Sequence, residues 1–462
     1  MYDYYLRSLL EGRFDVPIRV VSFEGHLDPE GKAFVYHSLL PLVPRAILAP
    51  FVDLQVINAK RWVVFGFAAA AIAILQYKTF SILLHVSEPS RERTRWIVLT
   101  AVMCWAATAG PMVVSNSSLY NETFATVLLA VTMAGYIFSR LIVFDDPIDK
   151  WLVVFAVCIV IALHSRITIA LGLCLTFGTL WLYSMFRTRF TQMRPLIFSA
   201  LICCLGMGVL LFSNHARFGD VTRMHGTFDA ERVDEVQHAV VYWNIWEKRE
   251  RDYRTSFVKH GTFNSARVLP NTMMYFAGLP AKAASQVELY HSMIGDYGEP
   301  RIWGPYGGIL FLWMPWIVLL FYALKGRKNV SNAVRPDMFV IATLGGFATA
   351  CLILTFASMH FRYRVDLWPL VSILSIASLA VLFHRSQSVR LRQRAFWVMS
   401  IATFFALAFS AHSVRRHAEM NHDSSYYKEH ALFAFWSEEL CLEMVEERGF
   451  SVEKHEDLCD LT

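Results

Sequence analysis

Several ionisable residues in this chain stand where ordinary solvation does not account for them. Asp3 lies in Tyr2-Asp3-Tyr4-Tyr5, and Glu24 and Asp28 flank His26 in Glu24-Gly25-His26-Leu27-Asp28-Pro29. Glu122 heads an apolar run after Tyr120-Asn121, and His164 and Arg166 interrupt another. Arg362, Arg364 and Asp366 open a third. Carboxylates can serve as general acids or bases, and the planar guanidinium of arginine can hold anions through two parallel hydrogen bonds. Each residue also has a plainer reading. Arg362 and Arg364 can anchor lipid headgroups, Asp366 can pair with one of them, Glu122 can complement a helix dipole, and His164 can be a satisfied core residue. No Walker loop, GxSxG, HExxH or dinucleotide fingerprint is present. The stronger signal is that the group clusters at one side of the apolar runs.

Those runs decide the class. Of 462 residues, 55% are hydrophobic and only 18% charged. A soluble domain carries about 25% charge and about 45–50% apolar residues. The net charge of +5 gives no basic footprint for nucleic acid. Eight cysteines without a CxxC pair argue against structural zinc. An all-α polytopic membrane protein is the remaining class. A crossing needs about 20 mostly apolar residues. The runs place ten: Trp62–Leu84, Trp96–Val114, Glu122–Phe144, Trp151–Leu163, Ile167–Phe186, Leu196–Ser213, Trp303–Leu324, Asp337–Ser358, Val365–His384 and Phe396–His412. One set of short loops holds 16 Lys and Arg, and the other holds Arg166, Arg362 and Arg364 alone. The positive-inside rule then puts segment 1–61, loop 214–302 and tail 413–462 outside the cytoplasm. Met1-Tyr2-Asp3-Tyr4-Tyr5 is no signal peptide, so this topology leads us to expect a further span upstream of Met1.

The extramembrane parts have character of their own. Tyr2–Leu10 has a helical apolar pattern closed by Gly12, and Leu39–Val56 is apolar but broken by Pro41, Pro44 and Pro50. That composition predicts an interfacial helix lying along the membrane. Loop 214–302 carries Tyr242, Trp243, Trp246, Tyr253, Tyr275 and Tyr290, and tail 413–462 has 12 acidic residues against 5 Lys and Arg. The tail also holds an amphipathic stretch around Leu432, Trp436, Leu440 and Met444, with Cys441 and Cys459 as a disulfide candidate.

Short motifs across most of the chain resemble the bacterial GT-C glycosyltransferases, and among them the family-39-like group that uses lipid-linked sugars. They are Leu10-Glu11-Gly12-Arg13-Phe14-Asp15, Gly31-Lys32-Ala33-Phe34-Val35-Tyr36 running into Leu40-Pro41-Leu42-Val43-Pro44, and Tyr120-Asn121-Glu122-Thr123. His164-Ser165-Arg166, Asn214-His215-Ala216-Arg217-Phe218-Gly219 and Arg362-Tyr363-Arg364 add to them. The resemblance implies a GT-C-like fold that lacks its first span here, a polyprenyl-phosphate sugar as donor, and a glycan, lipid or protein acceptor in a bacterial inner membrane. It implies Asp3 as catalytic base, with Arg362, Arg364 and Arg166 on the donor phosphate and inversion at the sugar. Glu24, Asp28, Tyr36, Glu122, His164 and Arg217 are further candidates. No cofactor is implied, and a divalent metal stays open. The competing readings are a flippase or transporter of lipid-linked glycans, for which no repeat symmetry is seen, and a glycan polymerase or ligase.

Overall fold

The computed structural model describes residues 2–17, 25–27, 32–35, 39–52, 59–114, 119–187, 193–222, 260–278, 283–297, 307–325, 333–384 and 387–422. Helix α1 (Tyr2–Leu10) ends at Gly12, whose φ of 76° supplies the left-handed turn that the sequence pattern anticipated. A small antiparallel sheet follows, in the order β1 (Asp15–Val16), β3 (Ala33–Val35), β2 (Gly25–Leu27), with Asp15 opposite Phe34 and Leu27 opposite Ala33. The sequence had given no sign of it. Of the expected interfacial stretch Leu39–Val56, residues 39–52 are described, and they hold the seven-residue α2 (Leu42–Leu48).

The bundle is formed by α3 (Ala59–Val86), α4 (Arg91–Ala106) with its continuation α5 (Gly110–Val114), α6 (Leu119–Ile142), α7 (Asp149–Leu163), α8 (Ile167–Arg187) and α9 (Met193–Phe218). After the intervening α10 (Val268–Ala277) and α11 (Ala283–Ile294) it resumes. Its later members are α12 (Ile309–Leu312), α13 (Met314–Lys325), α14 (Pro336–Thr355), α15 (Trp368–Phe383) and α16 (Val389–His422). Among the described residues eight helices are long and apolar enough to cross a membrane, so the chain is a multi-pass, all-α membrane protein. Two of the ten expected crossings fall short. α7 has 15 residues, and the expected Trp303–Leu324 run is broken at Trp313 into the 4-residue α12 and the 12-residue α13. Pro315, just past that break, lacks the backbone donor that a continuous helix would need.

The helices differ in how deeply they are packed. α6 and α15 are the buried centre, whereas α9 presents Phe198, Leu201, Leu205 and Phe212 outward. α8 and α14 cross at glycines. A Cβ on Gly172 would meet the Gly345 carbonyl and the Thr349 hydroxyl, and one on Gly345 would meet the Gly172 carbonyl and the Thr176 hydroxyl. Only small residues let two backbones approach this closely without a hydrophobic driving force. Because α4 stops at Ala106, its last carbonyls need donors from elsewhere. Ser410 supplies Ala106 (2.7 Å) and the Trp316 indole supplies Ala107 (2.6 Å).

Candidate functional site

Three elements distant in sequence meet at the end of the bundle that carries the N-terminal segment. Arg45 of α2 is 1% exposed. Its Nε donates to Asp3 Oδ1 of α1 at 2.7 Å, and its Nη1 donates to Glu122 Oε2 of α6 at 2.5 Å and to the Pro41 carbonyl at 2.8 Å. The guanidinium also lies 5.3 Å from the Tyr2 ring. Burial works against its charge, but the hydrogen bonds and charges of Glu122 and Asp3 outweigh it and raise its pKa. The two acids differ in access. The Asp3 side chain is 25% exposed and that of Glu122 only 2%.

A second cluster gathers round Phe124, which lies two residues beyond Glu122 on α6 and about half a turn round the helix. Arg166 grips Asp366 with two parallel hydrogen bonds, Nε to Oδ1 and Nη2 to Oδ2, both 2.6 Å. The Thr168 hydroxyl adds a longer bond of 3.3 Å to Oδ2. The Arg166 guanidinium lies 4.5 Å from the Phe124 ring and 4.7 Å from the Tyr363 ring, and these two rings stack with their centroids 6.1 Å apart. Burial opposes its charge, and Asp366 more than compensates, so its pKa is raised. Arg362 lies 6.0 Å from each of the same two rings. Arg364 is 1% exposed, and among the described residues its Nε and Nη2 have no hydrogen-bond partner. A buried guanidinium in that condition is costly unless an acceptor arrives.

The turn that carries these arginines is strapped from the side. Asn271 of α10 donates to the carbonyls of Leu354 (2.9 Å) and Phe356 (3.1 Å). Phe263 bridges Phe356, and Asn264 N donates to the Thr355 carbonyl. Arg267 reaches the Tyr297 carbonyl as well as those of Thr262 and Thr355. Tyr290, in turn, holds Asn271 Oδ1 at 2.8 Å. The described part of loop 214–302 therefore ties down the segment that leads into the arginine turn, and its Tyr275 and Tyr290 are buried in the core.

The other expected site residues divide. Arg166 belongs to the site, yet Asp366 already holds its Nε and Nη2, so it has little left for a phosphate. His164 is a core residue: its Nε2 meets the Gly206 carbonyl at 3.0 Å, and its own carbonyl accepts from Leu40 N at 2.9 Å. Arg217 is a structural tie, donating to Val35 O (2.7 Å), Asn214 Oδ1 (2.8 Å) and Ser213 O (3.0 Å). That arrangement joins the sheet to α9. Glu24, Asp28 and Tyr36, and also Cys441 and Cys459, lie outside the described residues. Among the described residues no three His, Cys, Asp or Glu side chains converge as metal ligands. Arg45 was not anticipated. Its signal was a lone arginine inside Leu42-Val43-Pro44-Arg45-Ala46-Ile47-Leu48, where a cation needs an acid from elsewhere. No protein-family model, curated protein or solved structure matches the chain.

Proposed function

We propose that the chain is a GT-C-like glycosyltransferase of a bacterial inner membrane. It moves a sugar from a polyprenyl-phosphate donor to a hydroxyl of a lipid, glycan or protein acceptor on the extracytoplasmic face. The observation that carries this reading is the partly open Asp3 carboxylate, held by Arg45, at the same end of the bundle as Arg364, a buried arginine with two nitrogens that have no partner among the described residues.

The chemistry follows from those groups. Asp3 Oδ1 is held by Arg45, which leaves Oδ2 to take the proton of the acceptor hydroxyl. The hydroxyl oxygen attacks the anomeric carbon, the bond from that carbon to the phosphate oxygen breaks, and its electron pair leaves with the polyprenyl phosphate. Attack opposite the leaving group inverts the sugar. Arg364, with Arg362 near it, answers the charge that grows on the phosphate. The apolar outer face of α2 and the turn after it, with Val43, Ile47 and Phe51 exposed, suits a lipid tail entering from the bilayer.

The test uses the full chain in proteoliposomes with a panel of radiolabelled polyprenyl-phosphate sugars, reading release of polyprenyl phosphate. Asp3→Asn is expected to lower the rate by about 10²–10⁴-fold while donor binding is retained. Arg364→Ala is expected to weaken donor binding. Full activity in Asp3→Asn would remove Asp3 as the base, and a native chain that turns over no donor in the panel would count against the whole reading.

A further inference from the structure

The two bonds of Arg45 to acids leave from different nitrogens, Nε to Asp3 and Nη1 to Glu122, so both ion pairs are made at once. The acids are unequal. Glu122 is 2% exposed on the buried helix α6, whereas Asp3 is 25% exposed in the first turn of α1. A base paired with its own private arginine is a poor one, because taking up a proton would strand a buried cation. With two acids on one guanidinium, Arg45 keeps a counter-charge after Asp3 is protonated, and that penalty is reduced.

We propose that Arg45 is a positioning residue that shares its single charge between Asp3 and Glu122, so that Asp3 can accept a proton while Glu122 keeps the guanidinium neutralised. This rests on the reading of Asp3 as the base. Lys60 interacts electrostatically with all three groups, and the Tyr2 ring covers the guanidinium. Asp3, Glu122, Arg45 and Lys60 together carry no net charge before proton uptake. When Asp3 takes the acceptor's proton only Asp3 changes, and the group becomes a monocation beside the departing phosphate. Arg45 keeps its proton throughout, and Glu122 stays ionised.

Infrared spectroscopy of the full chain in lipid tests the sharing without any substrate, through the carbonyl stretch of a protonated carboxyl group. Arg45→Met should shift the protonation ratio of Glu122 by ~100-fold and produce that band. The band should vanish in Arg45→Met/Glu122→Gln, and Arg45→Lys, which returns the charge, should lack it. Asp3→Asn should also lack it, because Arg45 then belongs to Glu122 alone. An Arg45→Met protein without the band, or with a band that survives Glu122→Gln, would overturn the proposal. Should Arg45→Met fail to fold, a Glu122 band in Asp3→Asn would overturn it equally. In turnover, Glu122→Gln leaves Asp3 as the sole counter-charge, so kcat should fall with the donor KM unchanged, and a rise in KM alone would count against the sharing. The infrared readings do not depend on turnover, so a chain inactive toward every polyprenyl-phosphate sugar would fail as a glycosyltransferase while the charge sharing is judged on its own.

Discussion

Two of the cations buried in this bundle, Arg45 and Lys78, are treated in opposite ways. Arg45, at the end of the helices, is met by two carboxylates at 2.7 and 2.5 Å. Lys78, well inside α3 and 2% exposed, donates to the Ser372 hydroxyl of α15 at 3.0 Å and, among the described residues, to no acid. A small cavity beside it is lined by Thr79, Ser375, Trp316 and Trp368. Thr79 and Ser375 spend their hydroxyl protons on the carbonyls of Leu75 and Val371, so toward the cavity they can act only as acceptors. The difference follows from the side chains. A guanidinium stays charged at any accessible pH, and Arg45 is given two anions, whereas an amine can shed its proton and live among hydroxyls. One site is built around a permanent charge, the other around a group that can be neutral.

The comparison makes its largest prediction at Arg45. Arg45→Met leaves two carboxylates, one of them almost fully buried, without their cation. Breaking a buried pair in this way costs about 3–5 kcal/mol, to be measured by chemical denaturation of the protein in detergent. A loss no larger than that of an exposed ion pair would mean that the cluster is wetter than its burial implies, and would dissolve the contrast with Lys78.

The next effect lies at Gly135 of α6, which faces the Lys78 site. A methyl group there would stand 3.1 Å from Ser372 Oγ and 3.3 Å from Lys78 Nζ. Gly135→Ala should therefore cost about 1–3 kcal/mol by overpacking, read in the same unfolding experiment. Adding Ser372→Ala removes the nearer of the two atoms and should recover part of that cost. An unchanged penalty in the double variant would place the strain elsewhere on α6.

How much of this was legible in the sequence depends on whether the signal was local. Apolar runs announce helices because the bilayer demands them, and Gly12 announced the end of α1 because only a left-handed residue closes it there. The gathering of Asp3, Glu122, Arg166, Arg362 and Arg364 at one end was likewise readable from which ends of the runs they occupy. The strands Asp15–Val16, Gly25–Leu27 and Ala33–Val35 were not, since segments of two or three residues are too short to show a period and are made by pairing with one another. Pairings were hidden for the same reason. Arg45 reaches partners 42 and 77 residues away, and Arg166 one 200 residues away. Arg217 and His164 sat in motifs that looked catalytic, yet their bonds to the carbonyls of Val35 and Gly206 spend them on holding the fold. Lys78 drew no notice because a single lysine does not disqualify a 28-residue apolar helix.

The smallest expected effect is the one that tests what kind of site Lys78 makes. Methionine has nearly the length of lysine and no polar head, so Lys78→Met keeps an apolar side chain in the cavity that Ile82, Trp368 and Leu379 also line, while removing the amine. If the hydroxyls of Ser372, Ser375 and Thr79 are its whole environment, the variant gives up one modest hydrogen bond and is relieved of the cost of holding an amine at membrane depth. Replacing a buried polar group by an apolar one of similar shape is close to neutral and sometimes stabilising. We expect Lys78→Met to unfold within about 1 kcal/mol of the native protein, with Ser372 satisfied by its own helix as Ser375 is through the Val371 carbonyl at 2.6 Å. A loss as large as that of Arg45→Met would show that the amine is charged and has an anionic counterpart, and the two buried cations would then be of one kind.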